Sequence, residues 1–343
     1  MAAKRRIIPF FIPHAGCKHA CVFCNQNRIS GVAASACLTG DDLRKLLTSG
    51  GRSAGRLDTD PAPADIAFYG GSFTALPVEQ QNELLEGAQP FLGLNSQNAI
   101  RVSTRPDCVD EADVLRLVRY GVATVELGAQ SMSDEVLLRS RRGHTSFDVA
   151  RAAEIIKGAG LKLILQMMTG LPGDTNEGAI YTAKRFIELN PDGVRIYPTV
   201  VIKGTTLYEM WRRGEYKAHT VDDAVDLCTE LIELFQKAKI PIIRLGLNPT
   251  DALTAGDAAA GAYHPAFGEL AYSQVYFNKA AAILKGFPPG GAVTITVAKG
   301  RVSMMAGRHR QNIRRLTEYF SVKSIKVVEA DIPPGEINIE INQ

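Results

Sequence analysis

The chain has 343 residues and 45% hydrophobic content, enough for one large packed domain plus a small one and incompatible with wholesale disorder. Its net charge of +3 is too mild to argue for nucleic acid on its own. No apolar run approaches membrane-spanning length, and Met1-Ala2-Ala3-Lys4-Arg5-Arg6 leads into a strand-like stretch instead of a signal-peptide core, so a cytoplasmic protein with reduced thiols and no membrane partner is expected.

From Ile7 to about Pro249, short β-branched or apolar runs alternate with helix-period segments, the pattern of repeated βα units on a parallel sheet. Strands are read near 7 to 13, 66 to 70, 99 to 105, 122 to 128, 162 to 168, 193 to 199 and 241 to 246. Amphipathic helices fall between them, among them Val78 to Gln89, Glu111 to Tyr120, Phe147 to Gly158, Glu177 to Leu189 and Val221 to Lys239. Six or seven such units, not clearly eight, describe an incomplete barrel, whose ligands collect where the loops meet at the carboxyl ends of the strands. After Pro249 the pattern changes. A loop rich in Ala and Gly leads to a helix ending near Lys285, a strand at Ala292 to Ala298, another helix and two more strands, with turns at Pro288-Pro289-Gly290-Gly291 and Pro333-Pro334-Gly335. The expected division is a barrel over 1–249 and a small α+β domain over 250–343.

The loop after the first strand carries Cys17, Cys21 and Cys24. Thiolates at Cys-x3-Cys-x2-Cys spacing can hold three corners of a cubane iron-sulfur cluster, leaving the fourth iron to a ligand from elsewhere. The competing reading is a structural zinc completed by His14 or His19 in a non-catalytic RNA-binding module. Zinc motifs usually show two paired half-sites, however, and Cys37, Cys108 and Cys228 are scattered singly. His14 and His19 are read as packing the loop, and the lone cysteines as small buried apolar residues. In its cysteine spacing the chain resembles the radical S-adenosylmethionine (AdoMet) superfamily, in which the amino and carboxylate groups of AdoMet fill the open iron site.

The later strand ends supply polar residues for such a pocket. Gly70 and Gly71 let the backbone approach a ligand closely, although a tight turn alone also explains such a pair. Alternation along the fourth strand turns Thr124, Glu126, Gly128 and Gln130 toward the barrel interior. Gln130, at the mouth, can hydrogen-bond a ribose; Glu126, deeper, either serves the site or pairs with Arg195 or Lys162. Arg142 has the fork that suits a carboxylate, against the plainer reading of Arg141 and Arg142 as a solvated helix terminus. On the fifth strand Gln166 reaches toward a ribose hydroxyl, Met168 reads as core, and the Gly170-Leu171-Pro172-Gly173 turn presents backbone to an adenine. Ile196-Tyr197-Pro198 offers another adenine edge, and Lys203 stands at the mouth for a substrate anion. Between Lys299 and Arg315 lie Arg301, Arg308, His309, Arg310 and Arg314 without an acidic residue, a stretch that either tracks phosphates or forms a solvated face.

Taken in order, these segments closely resemble the Elp3-like branch of the radical SAM superfamily, which includes relatives of oxygen-independent coproporphyrinogen oxidase. The matching stretches are the cysteine loop, Gly70-Gly71-Ser72-Phe73-Thr74, Ser103-Thr104-Arg105-Pro106-Asp107, Gly128-Ala129-Gln130-Ser131, Arg142-Gly143-His144-Thr145, Gly170-Leu171-Pro172-Gly173-Asp174, Arg195-Ile196-Tyr197-Pro198-Thr199 and His264-Pro265-Ala266-Phe267-Gly268. The resemblance implies an α/β fold, a partial TIM-type (β/α)6 barrel with a small C-terminal α+β domain. It implies a 4Fe-4S cluster on Cys17, Cys21 and Cys24, and S-adenosyl-L-methionine against Gly70, Gly71, Ser72, Ser103, Gln130, Arg142 and Gln166, with Ser72 standing where many families carry glutamate. An electron donor such as flavodoxin or ferredoxin is implied as a partner, and transfer RNA (tRNA) is favoured as substrate over a small metabolite, a tetrapyrrole or a protein glycyl residue. The resemblance does not by itself imply acetyl transfer, because the roughly ninety residues read after Pro249 are fewer than the acetyltransferase domain of Elp3 needs.

Overall fold

The computed structural model describes residues 6–12, 14–17, 20–26, 29, 39–49, 63–250 and 253–342. Six strands enter one parallel sheet in chain order: β1 (Arg6–Phe11), β2 (Ala64–Tyr69), β3 (Ala99–Thr104), β4 (Val122–Gln130), β5 (Lys162–Thr169) and β6 (Gly193–Pro198). The next strand, β7 (Val200–Ile202), leaves the sheet, and β8 (Ile242–Leu245) completes it beside β6. Six crossovers join the seven strands, carried by α1 (Gly40–Ser49), α2 (Val78–Leu92), α3 (Glu111–Arg119), α4 (Asp134–Arg139) with α5 (Ser146–Gly158), α6 (Asn176–Leu189), and α7 (Thr206–Arg212) with α8 (Val221–Lys237). The result is the expected α/β half-barrel, a partial TIM barrel with its helices on one side of the sheet.

Local chemistry explains where the helices begin. Capping boxes at Asp110/Asp113, Thr145/Asp148 and Thr220/Asp223 satisfy the first backbone N–H groups of α3, α5 and α8. In β3 the alternation is complete: Ile100 and Val102 are fully buried in the main core, whereas Arg101 and Ser103 turn inward to the barrel.

β4 runs two residues beyond the expected end, and its pairing with β5 shifts register between Leu127 and Gln130. Simple alternation therefore stops at this bulge, and Gln130 adopts a left-handed backbone with φ of 67°. A strand was also hidden in the Ala/Gly-rich loop: β9 (Ala258–Gly261) pairs antiparallel with β7. Alanine and glycine are weak strand formers, so the pairing is imposed by tertiary contact. Gly261, at φ 94°, approaches so closely that a Cβ there would sit 2.6 Å from the Thr199 carbonyl oxygen.

Beyond the ribbon come α9 (Phe267–Leu284), β10 (Ala292–Ala298), α10 (Val302–Ala306), α11 (Gln311–Phe320), β11 (Ser324–Ala330) and β12 (Ile337–Asn342). The last three strands form a mixed sheet in the order β11-β10-β12, with β11 parallel and β12 antiparallel to β10. α9 belongs to both halves. Phe267, Ala271 and Val275 lie in the barrel core, and Tyr276, Ala280 and Leu284 in a second core with Ile295 and Leu316. No helix among the described residues is long and apolar enough to cross a membrane.

Candidate active site

The cysteine loop leaves β1 and is laced to the end of β2. The Ile12 N–H donates to Tyr69 O, the His14 N–H to Gly70 O, and the Ser72 N–H to Ala15 O. Backbones this close exclude side chains: a Cβ on Gly16 would lie 2.2 Å from Ser72 O, and one on Gly71 would lie 2.3 Å from Ala15 O. Val22 anchors the far side, its N–H on Ser140 O, its carbonyl accepting from Leu207, and its side chain clustered with Leu207 and Tyr216. His14 packs the loop as expected, its Nε2 accepting the Gln26 N–H at 3.0 Å. His19 and Cys37 lie outside the described residues.

A cavity of about 630 Å³ opens at this end of the barrel. Cys17, Cys21, Cys24, Gly70, Gly71, Ser103, Gln130, Arg142 and Gln166 all line it, drawn from five strand ends and the turn after α4. Among the described residues no aspartate or glutamate lines it. Burial, and then Cys21, push the Cys24 thiol up to about 12, and burial raises Cys17 as well. Such thiols keep their protons until a metal centre takes the proton's place.

Two polar devices hold the walls. The Gln166 amide donates to Gln130 Oε1 at 2.7 Å, so the two glutamines bridge β4 and β5 across the bulge. Arg142 is buried, not a solvated terminus; Arg141, beside it, is the exposed one. Arg142 Nη1 donates to Cys21 Sγ at 3.1 Å and Nη2 to Gly128 O, while its Nε is buried with no partner. An unpartnered buried N–H beside the cysteines is an open donor for an anionic group.

The floor of the barrel is a buried ionic network. Glu126 lies 2.8 Å from Arg195 and 2.7 Å from Arg101, Arg101 also holds Asp65 at 2.7 Å, and the Tyr69 hydroxyl donates to Glu126. Of the two expected partners of Glu126, Arg195 is the one found; Lys162 is exposed. Arg195 Nη1 also reaches the hydroxyl of Tyr197, which lines the cavity above.

Three expected contacts fall elsewhere. Ser72 is fully buried behind the glycines, its hydroxyl shared with Thr104 at 3.0 Å and accepting the Arg105 N–H at 3.3 Å, so it does not reach the cavity. The Gly170-Leu171-Pro172-Gly173 turn lines a separate depression of about 420 Å³ with Tyr216, Lys217 and His219, because Asp174 and the Tyr216 hydroxyl tie Gly170 to the outer side. Lys203 is exposed and does not line the cavity, although its neighbours Ile202, Gly204, Thr205 and Thr206 do. Conversely, Met168 lines it and so does Arg105, whose role went unread; the Arg105-x-Asp107 spacing was the available signal, since Asp107 grips that guanidinium at 2.9 and 3.1 Å. An apolar wall from Val200, Ile202 and Leu247 also went unread, having no chemical signature in sequence.

Among the described residues no three His, Cys, Asp or Glu side chains are arranged to ligate a single metal ion. A structural zinc needs four convergent ligands, whereas a cubane takes one thiolate on each of three irons. Three thiols lining one cavity suit a cluster that takes one thiolate on each of three irons, and the Arg142 guanidinium and the amide pair suit a ligand with a carboxylate and hydroxyls.

Comparison with known proteins points the same way. The Radical SAM superfamily model matches residues 11–186, and the Radical_SAM C-terminal domain model matches 191–276. The chain is 39% identical over 183 residues to tRNA uridine(34) acetyltransferase of Methanocaldococcus jannaschii, covering 48% of this chain and 34% of that one. It is 31% identical over 190 residues to human Elongator complex protein 3, covering 50% and 35%. The chain thus spans about a third of the length of these relatives. Among solved structures, Methanocaldococcus infernus Elp3 superposes with a TM-score of 0.58 at 25% identity, covering 80% of this chain and 63% of that one. Coproporphyrinogen III oxidase (HemN) from Escherichia coli shares the fold, with a TM-score of 0.51 at 18% identity over 68% of this chain and 53% of that one.

Proposed function

Because the chain belongs to the radical SAM superfamily and is an enzyme related to Elp3, we propose that Cys17, Cys21 and Cys24 hold a 4Fe-4S cluster and that the rest of the cavity takes AdoMet. The observation that carries this reading is the convergence of three thiols, the Arg142 guanidinium and the Gln130–Gln166 pair on one cavity. When bound, such a cluster would supply the electron for reductive cleavage of AdoMet and so the radical that abstracts hydrogen from a substrate, chemistry that belongs to the cofactors.

The protein's part is to bind and orient. The Arg142 guanidinium, at the cavity wall, would meet the AdoMet carboxylate. With Ser72 turned inward, the ammonium group is met by backbone at Gly70 and Gly71 and by Ser103 instead of by an acid. Gln130 and Gln166 exchange their mutual hydrogen bond for ribose hydroxyls, and Met168 and Tyr197 pack against the adenine. A small carrier such as flavodoxin or ferredoxin supplies the electron, and free thiols of this kind suit the reducing cytoplasm.

For the substrate we favour tRNA. The likeness to enzymes named for tRNA uridine(34) supports it, over the 34% of their length that the comparison covers. The C-terminal part, residues 250–343, is proposed as an accessory domain that docks it. Lys299, Arg308, Arg310, Arg314 and Arg315 are exposed there and have no ion-pair partner among the described residues, and Tyr319 is 83% exposed on the same helix as the last two. Protein reconstituted anaerobically with iron and sulfide, then given dithionite and AdoMet, should release 5′-deoxyadenosine, and Cys21→Ala should abolish the release. An intact cluster that yields none would sink the reading. Added tRNA should bind with an affinity that falls steeply with salt; salt-indifferent binding would remove the basic surface from the proposal.

A further inference from the structure

We propose that Arg142 is a positioning residue that sets the reduction potential of the cluster, by donating a charged hydrogen bond to the sulfur of Cys21. The inference rests on the cofactor reading above. Its foundation is that the guanidinium is locked in place. Nη1 stands 3.1 Å from Cys21 Sγ, and Nη2 is held by the carbonyl of Gly128 on β4. The Arg142 backbone N–H donates to Leu137 O at 2.9 Å, and its carbonyl accepts from Arg105, which Asp107 grips in turn. Arg141, with φ of 53°, makes the left-handed step that turns Arg142 inward, where it is 7% exposed. The strand opposite has no side chain in the way: a Cβ on Gly128 would lie 3.3 Å from Arg142 Nη2 and 2.9 Å from Gln130 Nε2.

Adding one electron to a thiolate-held cluster adds one negative charge. A fixed cation whose N–H points at a ligating sulfur stabilises the reduced state more than the oxidised state, and so raises the potential. Gln26 offers Cys24 Sγ a longer, neutral contact at 3.4 Å. Among the described residues Arg142 is the charged side chain that donates to one of these three sulfurs; the same side chain lines the cavity, and its buried Nε has no partner. One side chain therefore faces both the sulfur that feels the electron and the space where a carboxylate would sit.

The test is a reductive titration of the reconstituted cluster without AdoMet, with dithionite as reductant and the paramagnetic signal of the reduced cluster as readout. Arg142→Gln should move the midpoint to a more negative potential than wild type, Arg142→Lys should lie between the two, and Gly128→Ala should shift in the same direction as Arg142→Gln by displacing the guanidinium. Equal midpoints for wild type and Arg142→Gln overturn the inference. If Arg142→Gln assembles no cluster, Arg142→Lys and Gly128→Ala are read in its place, and unchanged midpoints there overturn it equally. A wild-type protein that assembles no four-iron cluster overturns the cofactor reading itself, a failure seen before any variant is compared.

Discussion

His144 and Asp174 titrate in overlapping windows with opposite effects on stability. Burial, and then Arg142, push the His144 imidazole down to about 4, and it sits neutral with Nε2 3.0 Å from Ala129 O. Because that value lies below the ordinary 6.5, the contribution of His144 is full above pH 6.5 and is lost as pH falls toward 4. Burial pushes Asp174 up to about 6, against the N–H groups of Gly170 and Thr175 that favour its charge. Its contribution is full below its ordinary 3.8 and is lost as pH rises through about 6. Each amounts to at most about 3 kcal/mol, at roughly 1.4 kcal/mol per pKa unit, so the two slopes largely cancel in the wild type. Urea denaturation at stepped pH should separate them. The stability of wild type relative to His144→Gln should fall from pH 6.5 to 4, and relative to Asp174→Asn it should fall from pH 4 to 6; flat differences would refute the assignment. Both residues stand in motifs visible in the sequence, but their titration is not visible there, because it depends on burial in the folded chain, where His144 meets Ala129 of β4 and Asp174 lies beside Tyr216.

At the scale of elements, β4 combines an inward ionic network with a bulge. Alternation correctly turned Glu126 inward and allowed Arg195 as its partner. It could not supply Arg101, since strand register decides which inward residues meet. Glu126 is 4% exposed and serves two arginines, so Glu126→Ala strands buried cations and should cost about 3–5 kcal/mol in chemical denaturation. Glu126→Gln keeps the volume and an acceptor and should cost clearly less. Equal losses for the two would show that packing, not charge pairing, holds the floor. The bulge above this network turns Gln130 toward Gln166, a placement that strict alternation reaches only by coincidence.

For the whole molecule, α9 joins two cores that composition along the chain had separated. The single tryptophan, Trp211, packs in the cluster beside the cysteine loop, far in sequence from the C-terminal sheet. Since one helix buries Val275 in the barrel and Tyr276 in the second core, the halves should unfold together. Ile295→Ala, a fully buried change in the small sheet, should cost about 2–5 kcal/mol and shift the Trp211 fluorescence midpoint as far as the far-UV circular dichroism midpoint. A fluorescence midpoint that stays put while the other moves would mean independent halves. The sequence alone determined the alternation of strands and helices, the cysteine spacing and the inward face of β4 that carries Glu126, because periodicity and spacing are local properties, while the family resemblance brought Arg142 and Gln166 to the same pocket as Gln130. Only the tertiary structure decided that Ser72 turns inward, that the Gly170–Gly173 turn faces an outer depression, that an Ala/Gly segment becomes β9, and that Arg142 meets Cys21. Each of these depends on how closely two distant stretches of backbone approach and in which register they pair, and no one-dimensional pattern contains that distance.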